Sequence, residues 1–128
     1  MPNSPLRDIK TGKDYSDKIM NGEVFLVFAI TGCEACKKEL QFFSQTESNF
    51  NSKIDVIAVM FQDEQIVKDY VEQNEVKIPV LVDKDGKLFQ ELNLKYFPSN
   101  FKLANGEIKQ ASFGLPRDIN DLINQAEY

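Results

Sequence analysis

Cys33 and Cys36 are the only thiols in the chain, and two residues separate them. Thiols at this spacing lie within one helical turn and can form a reversible disulfide. They follow an apolar run, residues 24–30, after only Thr31 and Gly32. If a helix begins here, its free backbone N–H groups and the positive end of its dipole stabilise a thiolate at Cys33. We therefore interpret the pair as a redox-active dithiol–disulfide couple.

The flanking residues predict the elements that position the two sulfurs. The run at residues 24–30 is rich in aromatic and β-branched side chains, which is typical of a strand buried on both faces of a sheet. Beyond it, Cys36, Leu40 and Phe43 follow at the i, i+4, i+7 spacing of an amphipathic helix. The cysteines are therefore predicted at a junction between a buried strand and a helix.

Strand and helix patterns alternate along the rest of the chain, after a polar, turn-rich stretch at residues 6–21. The predicted elements are a strand at 54–61, a helix with Ile66, Val67, Tyr70 and Val71 on its apolar stripe that frays near Asn74, a short strand at 80–82, a brief helix at 88–92, a hairpin turning at Asn105 and Gly106 with its return strand at 108–113, and a helix carrying Ile119, Leu122, Ile123 and Ala126. This order predicts an α/β fold, a central mixed β-sheet with helices on both faces and right-handed crossovers. We expect one domain over residues 1–128, in which residues 1–21 form an N-terminal extension.

Composition excludes several classes of function. The chain has 15 basic and 20 acidic residues, a net charge of −5, and no dense basic stripe, so nucleic acid is not an expected partner. It has no histidine, which removes Ser–His and Cys–His catalysis, and two cysteines alone do not complete a tetrahedral zinc site. We predict no metal, although an all-carboxylate site is formally open. No apolar run reaches the roughly 20 residues that span a bilayer, so membrane insertion by this chain is not expected.

Residues 27–40 resemble the active-site segment of the thioredoxin superfamily, particularly its TlpA/ResA-like extracytoplasmic branch. Further segments recur in that branch's order and approximate spacing: residues 57–59, 78–83, 95–99 and 105–108. The resemblance covers nearly the whole chain and implies a thioredoxin fold. It implies that Pro98 is a cis-proline opposite the disulfide and that Phe97 faces the substrate.

The chain departs from the family pattern at several positions. Gly32 stands where a tryptophan commonly precedes the first cysteine, and Val27 stands where thioredoxin carries a buried aspartate. Relatives in this branch carry an acid after the second strand, and Asp63 falls at that place with Glu64 beside it. The resemblance thus implies Asp63 as the proton acceptor for the resolving thiol and Glu64 as the alternative acid. Asp63 is also well suited to cap the following helix, and the two roles are compatible.

The substrate-binding surface implied by the resemblance comprises Gly32, Glu34, Ala35, Phe97 and Pro98. Cys33 is expected to act as the nucleophile and Cys36 as the resolving thiol, with the redox-active disulfide as the only redox group and no other cofactor. The implied activity is thiol–disulfide exchange with the thiols and disulfides of protein partners, apocytochrome c among them, supplied by a membrane or soluble electron donor.

The family analogy places the protein outside the cytoplasm, with an export segment absent from this chain; the alternative is a cytoplasmic protein. Two other functions remain open, a peroxide-reducing thiol enzyme and a non-catalytic metal carrier. The local proline-and-threonine pattern of the first and the histidine of the second are both absent from the sequence. A purely structural disulfide is a further alternative, although a junction between strand and helix is a poor place for one.

Overall fold

The structure of the protein is a computed structural model, and it describes residues 6–46 and 55–113. The predicted helix over Ile119 to Ala126 lies outside these residues, as does Ile54 at the predicted start of the second strand.

The described residues form four helices and five strands. In chain order these are α1 (Ser16–Asn21), β1 (Glu23–Phe28), α2 (Glu34–Thr46), β2 (Asp55–Met60), α3 (Glu64–Gln73), β3 (Val80–Val82), a 3-10 turn (Lys84–Gly86), α4 (Lys87–Glu91), β4 (Ser99–Ala104) and β5 (Glu107–Phe113). The strands make one sheet in the order β3-β2-β1-β4-β5. Strands β1, β2 and β3 pair in parallel, whereas β4 runs antiparallel to both β1 and β5.

Alternating side chains of β1 supply the two halves of the core. Phe25 and Val27 face the side covered by α2 and α3, whereas Leu26 and Phe28 face the side covered by α1 and α4. Because β1 is central, both of its faces must be apolar, which is why its sequence is an almost unbroken hydrophobic run. The predicted mixed sheet with helices on both faces is confirmed for the described residues.

The N-terminal stretch is more ordered than the sequence predicted. Residues 16–21 form helix α1, in which Ile19 is the one buried residue. Ahead of it, Asp8 forms a β-bridge with Leu81, and its carboxylate accepts the backbone N–H of Val80 at 3.1 Å. The ammonium of Lys10 donates to the carbonyl of Ile78 at 2.6 Å. These polar contacts join residues 6–14 to β3.

The predicted apolar stripe of α3 was wrong at one position. Val67 and Val71 are buried, and Tyr70 packs against the same part of the core, but Ile66 is 50% exposed. The helix turns about 100° per residue, so Ile66 lies beside the buried stripe and faces solvent. Helix α3 ends at Gln73, with Asn74 as its C-cap, at the predicted position.

Candidate active site at the start of helix α2

The two cysteines form a disulfide at the junction of β1 and α2. Their Cα atoms are 5.2 Å apart. Cys33 is partly exposed, whereas Cys36 is fully buried and belongs to the core between α2 and the sheet. Only the first sulfur is therefore reachable by a second protein.

Cys33 occupies the N-cap position of α2. The backbone N–H of Cys36 donates to the Cys33 sulfur at 3.2 Å, and the N–H of Lys37 donates to the Cys33 carbonyl at 3.1 Å. A side-chain acceptor at the N-cap normally satisfies one of the free N–H groups of the first turn. Here a sulfur takes that place, so the same hydrogen bond and the helix dipole will stabilise the thiolate after reduction.

The loop before β4 lies against the exposed sulfur. The peptide bond between Phe97 and Pro98 is cis, and the Phe97 carbonyl oxygen lies 3.7 Å from the Cys33 sulfur. The Phe97 ring is half-buried, with its centroid 5.8 Å from that of Phe89. Pro98 is buried, whereas Tyr96 beside Phe97 is 67% exposed.

The other predicted contact residues surround the sulfur from the α2 side. Gly32 and Glu34 are exposed, and Ala35 is half-buried. Gly32 has φ +76°, a conformation that costs about 1–2 kcal/mol for a residue with a Cβ. This backbone explains why glycine, rather than a bulky residue, precedes the first cysteine.

A second loop is hydrogen-bonded to the active-site loop. The side-chain oxygen of Gln62 accepts the backbone N–H of Thr31 at 3.0 Å, and its side-chain nitrogen donates to the Thr31 hydroxyl. Gln62 lies two residues after the end of β2, and Thr31 lies two residues before Cys33. Sequence reasoning missed this contact, because nothing in either segment indicates which long-range partner a glutamine will bind.

Asp63 and Glu64 lie at the start of α3. The Asp63 carboxylate is exposed and accepts the backbone N–H of Gln65 at 2.9 Å, so Asp63 is the N-cap of that helix. Glu64 is exposed in the first turn. Together with Arg7 and Phe61, both acids line an open groove of about 790 Å³. Their role as proton acceptors stays a prediction.

The structure adds a carboxylate that the sequence analysis did not single out. Glu39 lies on α2 one turn after Cys36 and is only 1% exposed. Positions i and i+3 share a helix face, so both side chains point toward the sheet. Burial raises the pKa of Glu39 to about 7, opposed by a hydrogen bond from Asn100. A carboxyl with this pKa can take or release a proton near neutral pH.

Asn100 lies on β4, two residues after Pro98, and is also buried. Its side-chain nitrogen donates to Oε1 of Glu39 at 2.7 Å. Oε2 of Glu39 and Oδ1 of Asn100 have no hydrogen-bond partner among residues 6–46 and 55–113. The sequence did carry one signal for Glu39, which falls between Cys36 and Leu40 on the apolar stripe of α2, where a charged residue is out of place.

Comparison with known proteins places this site in a family. The Redoxin family model matches residues 1–107. The chain belongs to the Redoxin family. Among curated relatives of this Redoxin chain, sporulation thiol-disulfide oxidoreductase A of Bacillus subtilis (strain 168) is 29% identical over 80% of the chain and 66% of its own length. Thiol-disulfide oxidoreductase ResA of Bacillus thuringiensis subsp. konkukian (strain 97-27) is 31% identical over 85% of the chain and 65% of its own length. The Redoxin chain thus spans about two thirds of the length of these relatives.

Solved structures agree with the predicted thioredoxin fold. StoA of Bacillus subtilis is 28% identical and superimposes with a TM-score of 0.76, covering 88% of both chains. The pneumococcal exposed lipoprotein thioredoxin Etrx1 of Streptococcus pneumoniae strain TIGR4 is 21% identical, with a TM-score of 0.80 over 94% of this chain and 95% of its own. The predicted thioredoxin fold is confirmed by these structures, and the chain is similar to the ResA-like thiol-disulfide oxidoreductases, with Cys33 and Cys36 in the CxxC position.

Over residues 6–46 and 55–113, no three His, Cys, Asp or Glu side chains come together in a way that could hold a metal ion. In that same part of the chain, every helix is too short or too polar to span a bilayer.

Proposed function

We propose that this Redoxin protein exchanges its Cys33–Cys36 disulfide with the thiols and disulfides of protein partners. The observation that carries the proposal is the different exposure of the two sulfurs. Cys33 is partly exposed at the N-cap of α2, where the Cys36 N–H stabilises its thiolate, whereas Cys36 is buried directly behind it. This arrangement suits a nucleophile that contacts the partner and a resolving thiol that does not.

The reductive direction has two balanced steps. The Cys33 thiolate attacks a partner disulfide, one partner sulfur leaves as a thiolate, and a mixed disulfide forms. The Cys36 thiol then loses its proton and attacks the Cys33 sulfur, which releases the second partner sulfur as a thiolate and restores the Cys33–Cys36 disulfide. The partner gains two electrons and this protein loses two. The oxidative direction is the reverse, and the reduction potential decides between them.

Glu39 is our candidate for the acceptor of the Cys36 proton. It lies one helical turn from Cys36 on the same face. Burial raises the pKa of Glu39 to about 7, close enough to the pKa of a thiol for proton transfer between the two groups. Asp63, the acceptor implied by the family resemblance, is exposed and bonded to the start of α3, whereas Cys36 is buried. Glu39 therefore replaces Asp63 as the leading candidate, with Glu64 as a further acid at the same helix start.

We also propose the partner class and the compartment. The relatives named as thiol-disulfide oxidoreductases support protein disulfides as substrates, and the haem-site cysteines of an apocytochrome c are our specific candidate. The resemblance to an extracytoplasmic branch supports action outside the cytoplasm. Fractionation of the native host with an antibody to this chain tests the compartment, and recovery in the cytoplasm alone would contradict it.

Reduction of insulin by dithiothreitol tests the activity. We expect the wild-type protein to accelerate it, Cys33→Ser to be inactive, and Cys36→Ser to accumulate a mixed disulfide. Absence of acceleration by the wild type, or full activity in Cys33→Ser, would refute the proposal. Consumption of hydrogen peroxide with a thiol donor, or tight copper binding without exchange, would favour the peroxidase or the metal carrier instead.

The Cys36→Ser variant also identifies the partner. Purified from its native host, it should carry a protein joined to Cys33 through a disulfide, which mass spectrometry names. The matched control is the Cys33→Ser/Cys36→Ser variant, which should carry none. An apocytochrome c in the first sample supports the specific proposal, and its replacement by other proteins contradicts it.

A further inference from the structure

The hydrogen bond between Asn100 and Glu39 leaves one atom unused on each side chain. Nδ2 of Asn100 donates to Oε1 of Glu39 at 2.7 Å, while Oδ1 of Asn100 and Oε2 of Glu39 have no partner within the part of the chain that the structure describes. Both residues are 1% exposed. A buried polar atom without a partner is costly, so two such atoms on one bonded pair need an explanation.

The two unused atoms become complementary when Glu39 is protonated. An ionised carboxylate offers only acceptors, and Oδ1 of an asparagine is also an acceptor, so neither can satisfy the other. A proton on Oε2 turns that atom into a donor, and Oδ1 of Asn100 can accept it. The acid and the amide then close a ring of two hydrogen bonds that leaves no buried oxygen of the pair without a partner.

We propose that Asn100 is a positioning residue for a proton on Glu39: its carboxamide binds the ionised carboxylate through one hydrogen bond and the protonated carboxyl through two. The pair acts as a proton store inside the core, one helical turn from Cys36. Asn100 occupies the position opposite Val27 of β1, so its cross-strand neighbour on that strand is apolar.

The ionisable groups nearest to this pair in chain position, among the described residues, lie on three elements on the same side of the sheet. Cys36 lies on α2, Lys102 lies two residues after Asn100 on β4, and Tyr70 packs from α3. Lys102 is 9% exposed and makes no ion pair with Glu39. The Tyr70 hydroxyl is buried and has no hydrogen-bond partner among the described residues. Burial, and to a lesser extent the negative charge of Glu34, raises the pKa of Tyr70, so its hydroxyl is neutral at physiological pH. Among these groups, Cys36 is the one that must lose a proton during the exchange reaction.

The consequence for catalysis rests on the proposed function. When Cys36 attacks the mixed disulfide, its proton moves to Oε2 of Glu39 and forms the second hydrogen bond with Asn100. The Cys36–Cys33 bond forms, the bond from Cys33 to the partner breaks, and the partner leaves as a thiolate. The transferred proton neutralises the Glu39 carboxylate, so no buried negative charge remains on Glu39 when the disulfide has formed.

Nuclear magnetic resonance tests the pair directly on the oxidised protein, in which the sulfurs of Cys33 and Cys36 form a disulfide and have no thiol proton to titrate. We expect the side-chain carbonyl carbon of Asn100 and the carboxyl carbon of Glu39 to titrate with one midpoint, near pH 7. In Glu39→Gln the new amide mimics the protonated acid, so the Asn100 resonance should stay at its low-pH position at every pH. A carbonyl resonance of Asn100 that does not move in the wild type, or that sits at its high-pH position in Glu39→Gln, refutes the proposal.

A kinetic experiment tests the functional role of Asn100. A mixed disulfide between Cys33 and glutathione is formed on the otherwise reduced protein, and glutathione release by Cys36 is followed between pH 5 and pH 9. We expect Asn100→Leu to slow release at least about tenfold at pH 7 and to move the pH midpoint of release. Gln41→Ala, a substitution elsewhere on α2, is the control and should behave as wild type.

The two experiments separate this inference from the proposed function. If Glu39→Gln releases glutathione at the wild-type rate, proton transfer to Glu39 is refuted, whereas a shared titration of Asn100 and Glu39 still supports the two-bond pair. If Glu39→Gln is slow but Asn100→Leu keeps the wild-type rate and pH profile, Glu39 accepts the proton and the role assigned to Asn100 is refuted. If Asn100→Leu does not fold, the titration of the wild type and of Glu39→Gln decides the question.

Discussion

Gln62 holds Thr31 through both ends of its side-chain amide. One hydrogen bond goes to the Thr31 backbone N–H and the other to the Thr31 hydroxyl. Thr31 leads directly into Gly32 and Cys33, so the loop after β2 fixes the backbone that carries the nucleophile.

Replacement of Gln62 by alanine should therefore impair exchange and lower stability. Loss of two hydrogen bonds predicts a decrease of about 1–3 kcal/mol in the free energy of unfolding, measured by urea denaturation. The rate of insulin reduction should fall with it. Gln65→Ala is the matched control, because the Gln65 side chain donates to Asp69 on the exposed surface of α3, away from Thr31. Equal exchange rates in Gln62→Ala and Gln65→Ala would show that the Thr31 contact does not matter.

Gly32→Ala tests the backbone before the first cysteine. A Cβ at Gly32 meets no atom within 4 Å, but the φ of +76° is unfavourable for alanine. The expected cost is about 1 kcal/mol of stability, measured by thermal or urea unfolding. Gly12→Ala is a control with the same open surroundings and φ +79°, remote from the sulfurs. Both variants should lose similar stability, but only Gly32→Ala should change the rate at which Cys33 is alkylated; a similar change in Gly12→Ala would contradict a local effect.

Asp63 offers a comparison between capping and proton transfer. Asparagine caps a helix as well as aspartate does, but it does not accept a proton. Alanine neither caps the helix nor accepts a proton. We expect Asp63→Ala to lower stability by about 1 kcal/mol and Asp63→Asn to leave it nearly unchanged. Because Glu39 is our leading proton acceptor, Asp63→Asn should keep wild-type insulin reduction at pH 7. A large loss of activity in Asp63→Asn, with stability intact, would return the proton-acceptor role to Asp63.

The raised pKa of Glu39 predicts how stability depends on pH. Folding moves this pKa from 4.5 to about 7, so between these values the native state binds more protons than the unfolded state. The contribution of Glu39 to stability is then full below about pH 4.5, falls as the pH rises, and is lost above about pH 7. The total is about 3 kcal/mol.

Glu39→Gln removes this dependence, because glutamine does not titrate. Relative to wild type, the oxidised variant should be similarly stable at pH 4 and more stable by up to about 3 kcal/mol at pH 8, measured by urea denaturation. Subtracting the two proteins at each pH cancels the titration of the other acids. A constant difference between pH 4 and pH 8 would mean that Glu39 titrates alike in the folded and unfolded states.

Much of the fold was predictable because its elements have strong local patterns. The apolar run of β1 and the spacing of Cys36, Leu40 and Phe43 indicate a buried strand followed by an amphipathic helix, and Asn105-Gly106 indicates the hairpin between β4 and β5. Helix α1 was missed because five of its six residues contribute nothing to the core, so no apolar stripe marks it. Its position depends on tertiary contacts rather than on a local pattern.

The site divides in the same way. The cysteine pair is readable from its spacing and its place after a strand. The roles of Glu39 and Asn100 depend on which strand passes beneath α2 and at what register. The two residues are 61 positions apart in the sequence, so no local pattern indicates that they bond to each other. The interpretation of Asp63 as a helix cap, by contrast, came from local sequence alone, and the structure has that hydrogen bond.

The contacts between residues 6–14 and β3 have a consequence for self-association. Strand β3 is an outer strand of the sheet, and an outer strand presents free N–H and C=O groups that can recruit a strand from another molecule. The backbone of Ile9 donates to the carbonyl of Val80, and Asp8 accepts the Val80 N–H, so the chain itself occupies this margin. The N-terminal segment thereby protects the protein from edge-to-edge aggregation along β3.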